Sequence, residues 1–182
     1  EGYLGVVPFS IKFVLPATTD IRHAGRYETT LVSVANAGTS IAINEMDNAI
    51  GLNFANHRCP GGGYTKGAWA QEEDLCRLFP LLYPSLRESC RDYYPILEDQ
   101  ALVTEGLQQQ RSESDYDIIP NWAEHKECAI VTAAMPNLSG QYREFRHGTD
   151  AYRRTVDKRI HAVFWAALEA GYDEIVLGAW GC

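Results

Sequence analysis

The chain carries an adjacent pair of carboxylates, Glu72 and Glu73, preceded by Gln71 and, after a gap of seven residues, by three consecutive glycines, Gly61, Gly62 and Gly63. A carboxyl group can donate a proton and recover it, and a second carboxylate beside it raises its pKa toward the range where donation at neutral pH is feasible. Consecutive glycines reach backbone angles closed to other residues and leave no side chain in the way, so their N–H groups suit close approach to an anionic ligand. The same residues also fit a tight turn followed by a helix whose Glu72, Glu73 and Asp74 favour the positive end of its dipole. Spacing alone leaves both readings open. Residues i and i+1 on a helix point about 100° apart, so the pair cannot flank one bond from opposite faces.

These residues need a strand before them and a helix behind them. Ala49 to Phe54 reads as a buried strand feeding the glycine loop, and a helix is expected from about Trp69 to Phe79. Strand, glycine loop and helix in that order put a ligand site at the end of a sheet strand. If the helix starts before Gln71, its apolar stripe runs through Ala68, Leu75 and Phe79, with Glu72 beside the stripe and Glu73 nearly opposite. Ile11 to Leu15 is a candidate first strand, and Thr29 to Asn36 (TTLVSVAN), rich in β-branched residues, is a better one. A helix then runs through Met46, with Thr39 or Ser40 as its N-cap.

The run PLLYPSLRESCRDYY predicts a second helix broken by Pro84. Pro95 to Glu127 is the most irregular part, and QQQRSESDYD at 108–117 reads as a polar surface excursion without function. CAIVTAAM at 128–135 has the continuous apolar character of a central strand covered on both faces, ended by Pro136-Asn137. Asp150 to Ala170 is the clearest helix, with Tyr152, Val156, Ile160, Val163, Phe164, Ala167 and Leu168 on one stripe and Gly171 as the stop. EIVLGAW at 174–180 is a last buried strand. Alternating strands and helices predict an α/β fold with a mixed, largely parallel central sheet flanked by helices. The 49–54, 128–135 and 174–180 strands should be adjacent, with their following loops gathered at one edge.

Several motifs then agree in order. NFAN followed by PGGG, AQEEDLCR followed by a YPSL segment, TAAMPNL at 132–138 and LGAWGC at 177–182 resemble microbial-type poly(ADP-ribose) glycohydrolases. NFANHRCPGGG also resembles the asparagine-and-glycine segment of macrodomains, the superfamily that holds these enzymes. The matches run from about position 29 to the last residue, so the resemblance spans most of the chain. It implies one catalytic domain of macrodomain-like three-layer fold over 1–182, and hydrolysis of the ribose–ribose O-glycosidic bond of poly(ADP-ribose) to release ADP-ribose. It makes Glu73 the acid/base and Glu72 a ribose-binding partner that orients the substrate. Asn56 would bond the distal ribose hydroxyls, Gly61, Gly62 and Gly63 would lie against that ribose and the diphosphate, and Asn53, Gln71 and Tyr64 complete the expected site. For Asn53 and Asn56 a loop-shaping role is the alternative, and Tyr64 either stacks on a sugar or packs against the sheet.

In the resembled family LGAWGC leads into a further glycine- and aromatic-rich loop around the ligand. The sequence ends at Cys182, so either it is a piece of a longer chain or this wall of the pocket is lacking. A non-catalytic or weakly active macrodomain-like reader of ADP-ribose is therefore the competing function, and an intact QEE favours the enzyme.

Composition narrows the partners. A hydrophobic content of 46% and 182 residues suit one soluble domain with its own core, and no apolar run approaches the ~20 residues of a membrane span. The net charge of −8 argues against general nucleic-acid binding. It also means that a polyanion such as poly(ADP-ribose) must be gripped locally, with Arg58, Lys66 and Arg77 as the candidate cations. The five cysteines show no CxxC spacing and the five histidines no HExxH, so neither a metal nor another cofactor is indicated. Reduced thiols fit the cytoplasm or nucleus, with Cys76 and Cys128 as small core residues. The expected partners are poly(ADP-ribose) and ADP-ribosylated proteins, met as a monomer away from DNA and membrane.

Overall fold

The computed structural model describes residues 7–8, 10–17, 28–139 and 143–181. Its centre is a sheet of order β1-β3-β4-β2-β5, built from β1 (Ser10–Val14), β2 (Ala49–Phe54), β3 (Gln100–Gln108), β4 (Glu127–Ala133) and β5 (Glu174–Val176). β2 runs parallel to both β4 and β5, whereas β3 is antiparallel to β1 and β4, so β3 alone opposes the rest. The alternation of side chains along each strand sends successive residues to opposite faces. Ile50, Leu52, Val103, Ala129 and Val131 pack with Val163, Ala166 and Ala167 of α5 (Asp150–Glu169). Leu102, Leu107, Cys128 and Ile130 meet Ile43, Leu75, Leu82 and Tyr93 on the other face. Those residues come from α1 (Thr39–Glu45), α2 (Gln71–Leu78), α3 (Leu82–Glu88) and α4 (Cys90–Tyr93). The result is a three-layer α/β fold, each fully buried Leu or Ile contributing roughly 1.5–3 kcal/mol.

Because β2, β4 and β5 are parallel, the loops that follow them emerge at one edge. There the Ala55 N–H donates to the Ala133 carbonyl at 3.1 Å, carrying the β2–β4 pairing past the end of β2. Gly51 lets α1 approach this strand closely: a Cβ at that position would lie 2.2 Å from Ile43 Cδ1. No helix among the described residues is long and apolar enough to cross a membrane.

Several elements differ from the sequence expectation. Thr29–Asn36 forms no strand, although its residues favour one, because it has no neighbour in the described sheet; Leu31 is 95% and Val34 99% exposed. Within the supposedly irregular Pro95–Glu127 segment lies β3, the longest strand, disguised by a bulge between Thr104 and Leu107 where Gly106 takes φ +68°. The 108–117 stretch is anchored: Gln109 and Gln110 are buried, and Glu113 accepts a hydrogen bond from Ser40.

Pro84 sits inside the first turn of α3, where its missing N–H costs nothing, and the break comes at Ser89. The helix expected from Trp69 begins at Gln71, and α1 is preceded by Gly38 as N-cap, so Thr39 is its first residue. β5 is only Glu174–Val176 and half-exposed, since it pairs with β2 alone. The buried stripe of α5 is rotated from the expected one, running through Thr155, Arg159, Ala162, Val163, Ala166 and Ala167.

Candidate active site

The loop after β2 folds back over the first turn of α2, and both carboxylates end up underneath it. Glu72 is 3% and Glu73 6% exposed. The helical wheel put Glu73 on the solvent side; the glycine loop roofs that side as well. Glu72 accepts from the Asn56 N–H (2.7 Å) on one oxygen and from the Gly61 N–H (3.1 Å) on the other. Glu73 accepts from the Gly63 N–H at 2.7 Å and reaches back to the Ala70 N–H at 3.0 Å, closing the N-terminus of α2. The Gly62 N–H donates to the Cys59 carbonyl at 3.0 Å. All three glycine amides are thus committed to the protein itself, where a loop offering them outward to a ligand was the expectation. The Gly61 and Gly63 amides hold the two carboxyl groups side by side, while that of Gly62 closes the turn.

Gly62 lies directly over the pair. With φ at +56°, it occupies the left-handed region, and a Cβ there would fall 2.4 Å from Glu73 Oε1 and 2.9 Å from Glu72 Oε2. Burial pushes the Glu72 carboxyl up to about 8; the Asn56 and Gly61 amides and the Asn53 side chain oppose this shift, and the charge of Glu73 adds to it. Glu72 therefore retains a proton at neutral pH in this dry environment.

Gln71 acts as a clamp. Its Oε1 accepts from the Phe54 N–H at 2.8 Å, and its Nε2 donates to the Leu52 carbonyl at 2.7 Å and to Thr39 Oγ1 at 3.3 Å. It thus fixes α2 to the end of β2 much as a neighbouring strand would. Asn53 is fully buried in β2, its Nδ2 3.3 Å from Thr132 Oγ1 and its Oδ1 without a partner among the described residues. Asn56 is exposed, and its Oδ1 accepts from the N–H groups of Arg58 (2.9 Å) and Cys59 (3.0 Å), shaping the turn. Tyr64 is half-buried and packs on Tyr83 of α3, with ring centroids 5.1 Å apart, at the margin of the core cluster that holds Leu75, Cys76 and Ile130.

Sequence reasoning missed two features of this edge. A cleft of about 470 Å³ opens beside Gln71, lined among others by Phe54, Trp69, Leu75, Tyr116 and Val176; it draws on elements far apart in sequence, so no local pattern announces it. The second is Arg159 of α5, 4% exposed, which donates to the Ala134 carbonyl at 2.6 Å and to Glu144 at 3.0 Å. Glu144 also accepts from the Asn137 N–H at 2.9 Å and stands 3.7 Å from His57 Nδ1. This buried arginine ties the loop after β4 to the loop after β2. The polar break that Thr155 and Arg159 make in the apolar stripe of α5 was its only sequence signal.

Comparison with known proteins agrees with the geometry. The model of the family "Microbial-type PARG, catalytic domain" matches residues 12–111. A poly(ADP-ribose) glycohydrolase structure from Deinococcus radiodurans, in complex with ADP-ribose, superimposes with a TM-score of 0.77 at 27% identity, over 95% of this chain and 74% of that one. The enzyme from Thermomonospora curvata gives 0.72 at 26% identity, over 95% of this chain and 66% of that one. Its complex with the inhibitor ADP-HPD gives 0.65 at 30% identity, over 81% and 58%. The chain thus spans less than two thirds of the length of the Thermomonospora curvata chains. No curated protein matches its sequence.

Proposed function

This chain belongs to the family of microbial-type poly(ADP-ribose) glycohydrolase (PARG) catalytic domains, and we propose that it hydrolyses the ribose–ribose O-glycosidic bond of poly(ADP-ribose), releasing ADP-ribose. The observation that carries the proposal is the buried carboxyl pair, Glu72 and Glu73, held side by side beneath the glycine loop by its amides. Glycosidic cleavage asks for such a group: a proton passes to the leaving ribose oxygen as the anomeric C–O bond breaks, leaving an oxocarbenium-like centre. The carboxylate left behind then takes a proton from the water that attacks the anomeric carbon, and the acid is restored.

We assign the proton transfer to Glu73, by its place in the QEE motif, and orientation of the distal ribose to Glu72. The geometry fits this division. Glu72 has each oxygen on a different part of the loop, at Asn56 and at Gly61, so it couples loop shape to the pair. The distal ribose lies against Gly62 and Gly63 beside Glu73, and Asn56 meets its hydroxyls. Asn53, Gln71 and Tyr64 support this surface.

The test is incubation of the chain with poly(ADP-ribose), following free ADP-ribose by chromatography. Release of ADP-ribose supports the enzyme. Binding of ADP-ribose without release would make the chain a reader, and absence of both would overturn the proposal.

A further inference from the structure

Beside the roofed carboxylates runs a surface strip of alternating rings and guanidinium groups. Arg87 lies 6.0 Å from the Tyr83 ring, Tyr83 packs on Tyr64 at 5.1 Å, and the Arg77 guanidinium sits 5.9 Å from Tyr64 and 4.0 Å from Trp69. Trp69 in turn meets Tyr116 edge-on at 5.5 Å. The strip joins the glycine loop, α2, α3 and the 108–117 segment, which are distant in sequence. Trp69, at its centre, is 70% exposed and lines the cleft beside Gln71.

An indole this exposed is normally free to turn, yet this one is held. Arg77 lies across it and donates to the Ala68 carbonyl, while Tyr116 braces its edge and donates to Asp74. A flat ring held in place and still open to solvent loses little entropy when something stacks on it. Aromatic rings interleaved with cations are the recurrent solution for holding an unpaired nucleotide chain, because every base has a π-face and every linkage a negative charge. In a chain of net charge −8, a strip carrying Arg77 and Arg87 is an exception, and Asp74 beside it is occupied by the Tyr116 hydroxyl.

Resting on the function proposed above, we infer that the strip from Arg87 to Tyr116 is an extended subsite for poly(ADP-ribose): it takes units beyond the one held over the carboxylates, stacking adenine on Trp69 and meeting diphosphate with Arg77 and Arg87. The net negative charge of the chain repels the polymer at long range, so this local grip is what retains it between cleavage events.

Two probes separate this subsite from the primary one: ADP-ribose itself and a purified oligomer of several ADP-ribose units, each titrated calorimetrically into the parent chain, Trp69→Ala and Arg87→Ala. To prevent cleavage during titration, all are placed in a Glu73→Gln background. The parent should bind the oligomer more tightly than ADP-ribose. Trp69→Ala should lower oligomer affinity about tenfold, the scale of one base stack, and collapse the oligomer-to-monomer ratio. Arg87→Ala should lower the ratio by a smaller factor that shrinks with added salt. If Trp69→Ala weakens both probes equally, Trp69 belongs to the monomer site and the inference fails. Unchanged affinity for both probes overturns it as well. If the parent binds neither, the proposed function fails first and the subsite falls with it.

Discussion

Two stretches of this chain look alike as sequence and end differently. TTLVSVAN at 29–36 is the richer in β-branched residues, yet it forms no strand and exposes Leu31 and Val34 almost completely. AIGLNF at 49–54 contains a glycine and an asparagine, yet it becomes β2, flanked by β4 and β5, with Ala49 through Asn53 buried. Strand propensity describes fitness for a pleated, half-buried surface, and the surface itself must come from neighbours. The same holds one step further on. The carboxylates that follow β2 are adjacent on a helix and ought to diverge, but the loop that β2 launches covers both. Where neighbours are supplied, weak local signals become a site; where they are missing, a strong one becomes coil.

The largest effect should come from disturbing the covered stretch at its tightest point. Gly62→Val puts a β-branched residue at φ +56° and a Cβ among the carboxylate oxygens. The backbone strain alone should cost roughly 1–3 kcal/mol of stability, and ADP-ribose binding should be lost, which calorimetry and thermal denaturation together would register. Unchanged affinity in the folded variant would separate the loop from the site.

An intermediate effect is expected at Glu72. Its carboxyl is raised from an ordinary value of 4.5 to about 8 in the folded chain, so the folded state keeps a proton that the unfolded state releases. Stability should therefore be highest below the lower value and fall as pH rises through this window, by an amount on the order of a few kcal/mol, levelling off above the upper value. Glu72→Gln has no proton to release and should flatten this slope, whatever it does to absolute stability. Parallel slopes in denaturant titrations from pH 4 to 9 would refute the assignment. The smallest effect belongs to the uncovered stretch: Val34→Ser should leave stability within about 0.5 kcal/mol of the parent, and a larger loss would show that 29–36 is packed in solution.

What could be read from the sequence followed the same division. The bounds of β2, the start of β4 and the extent of α5 were legible because each is long or apolar enough to announce its own burial. So were the adjacency of β4, β2 and β5 and the common edge of their loops. β3 was hidden by Glu105 and Gly106, which make a bulge and interrupt the alternation. At the site, the residue types were legible from the glycine triplet and QEE, while their orientation was not. The glycine amides turn inward because two buried carboxylates need donors more than the solvent does, and no spacing rule expresses that demand. Arg159 escaped notice for a related reason, since a charged residue in a helical stripe reads as solvent-facing until its partner Glu144 is seen.

The central claim is that Glu73 moves the proton while Glu72 holds the ribose, and one comparison tests it directly. Glu73→Gln and Glu72→Gln are assayed side by side for ADP-ribose release from poly(ADP-ribose) and for ADP-ribose affinity, against the active parent. Losing a positioned acid–base typically costs ~10²–10⁴ in rate. Glu73→Gln should lose turnover on that scale while still binding ADP-ribose, and Glu72→Gln should lose affinity together with rate. Near-normal turnover in Glu73→Gln, with turnover abolished in Glu72→Gln, would contradict the account and move the proton transfer to Glu72.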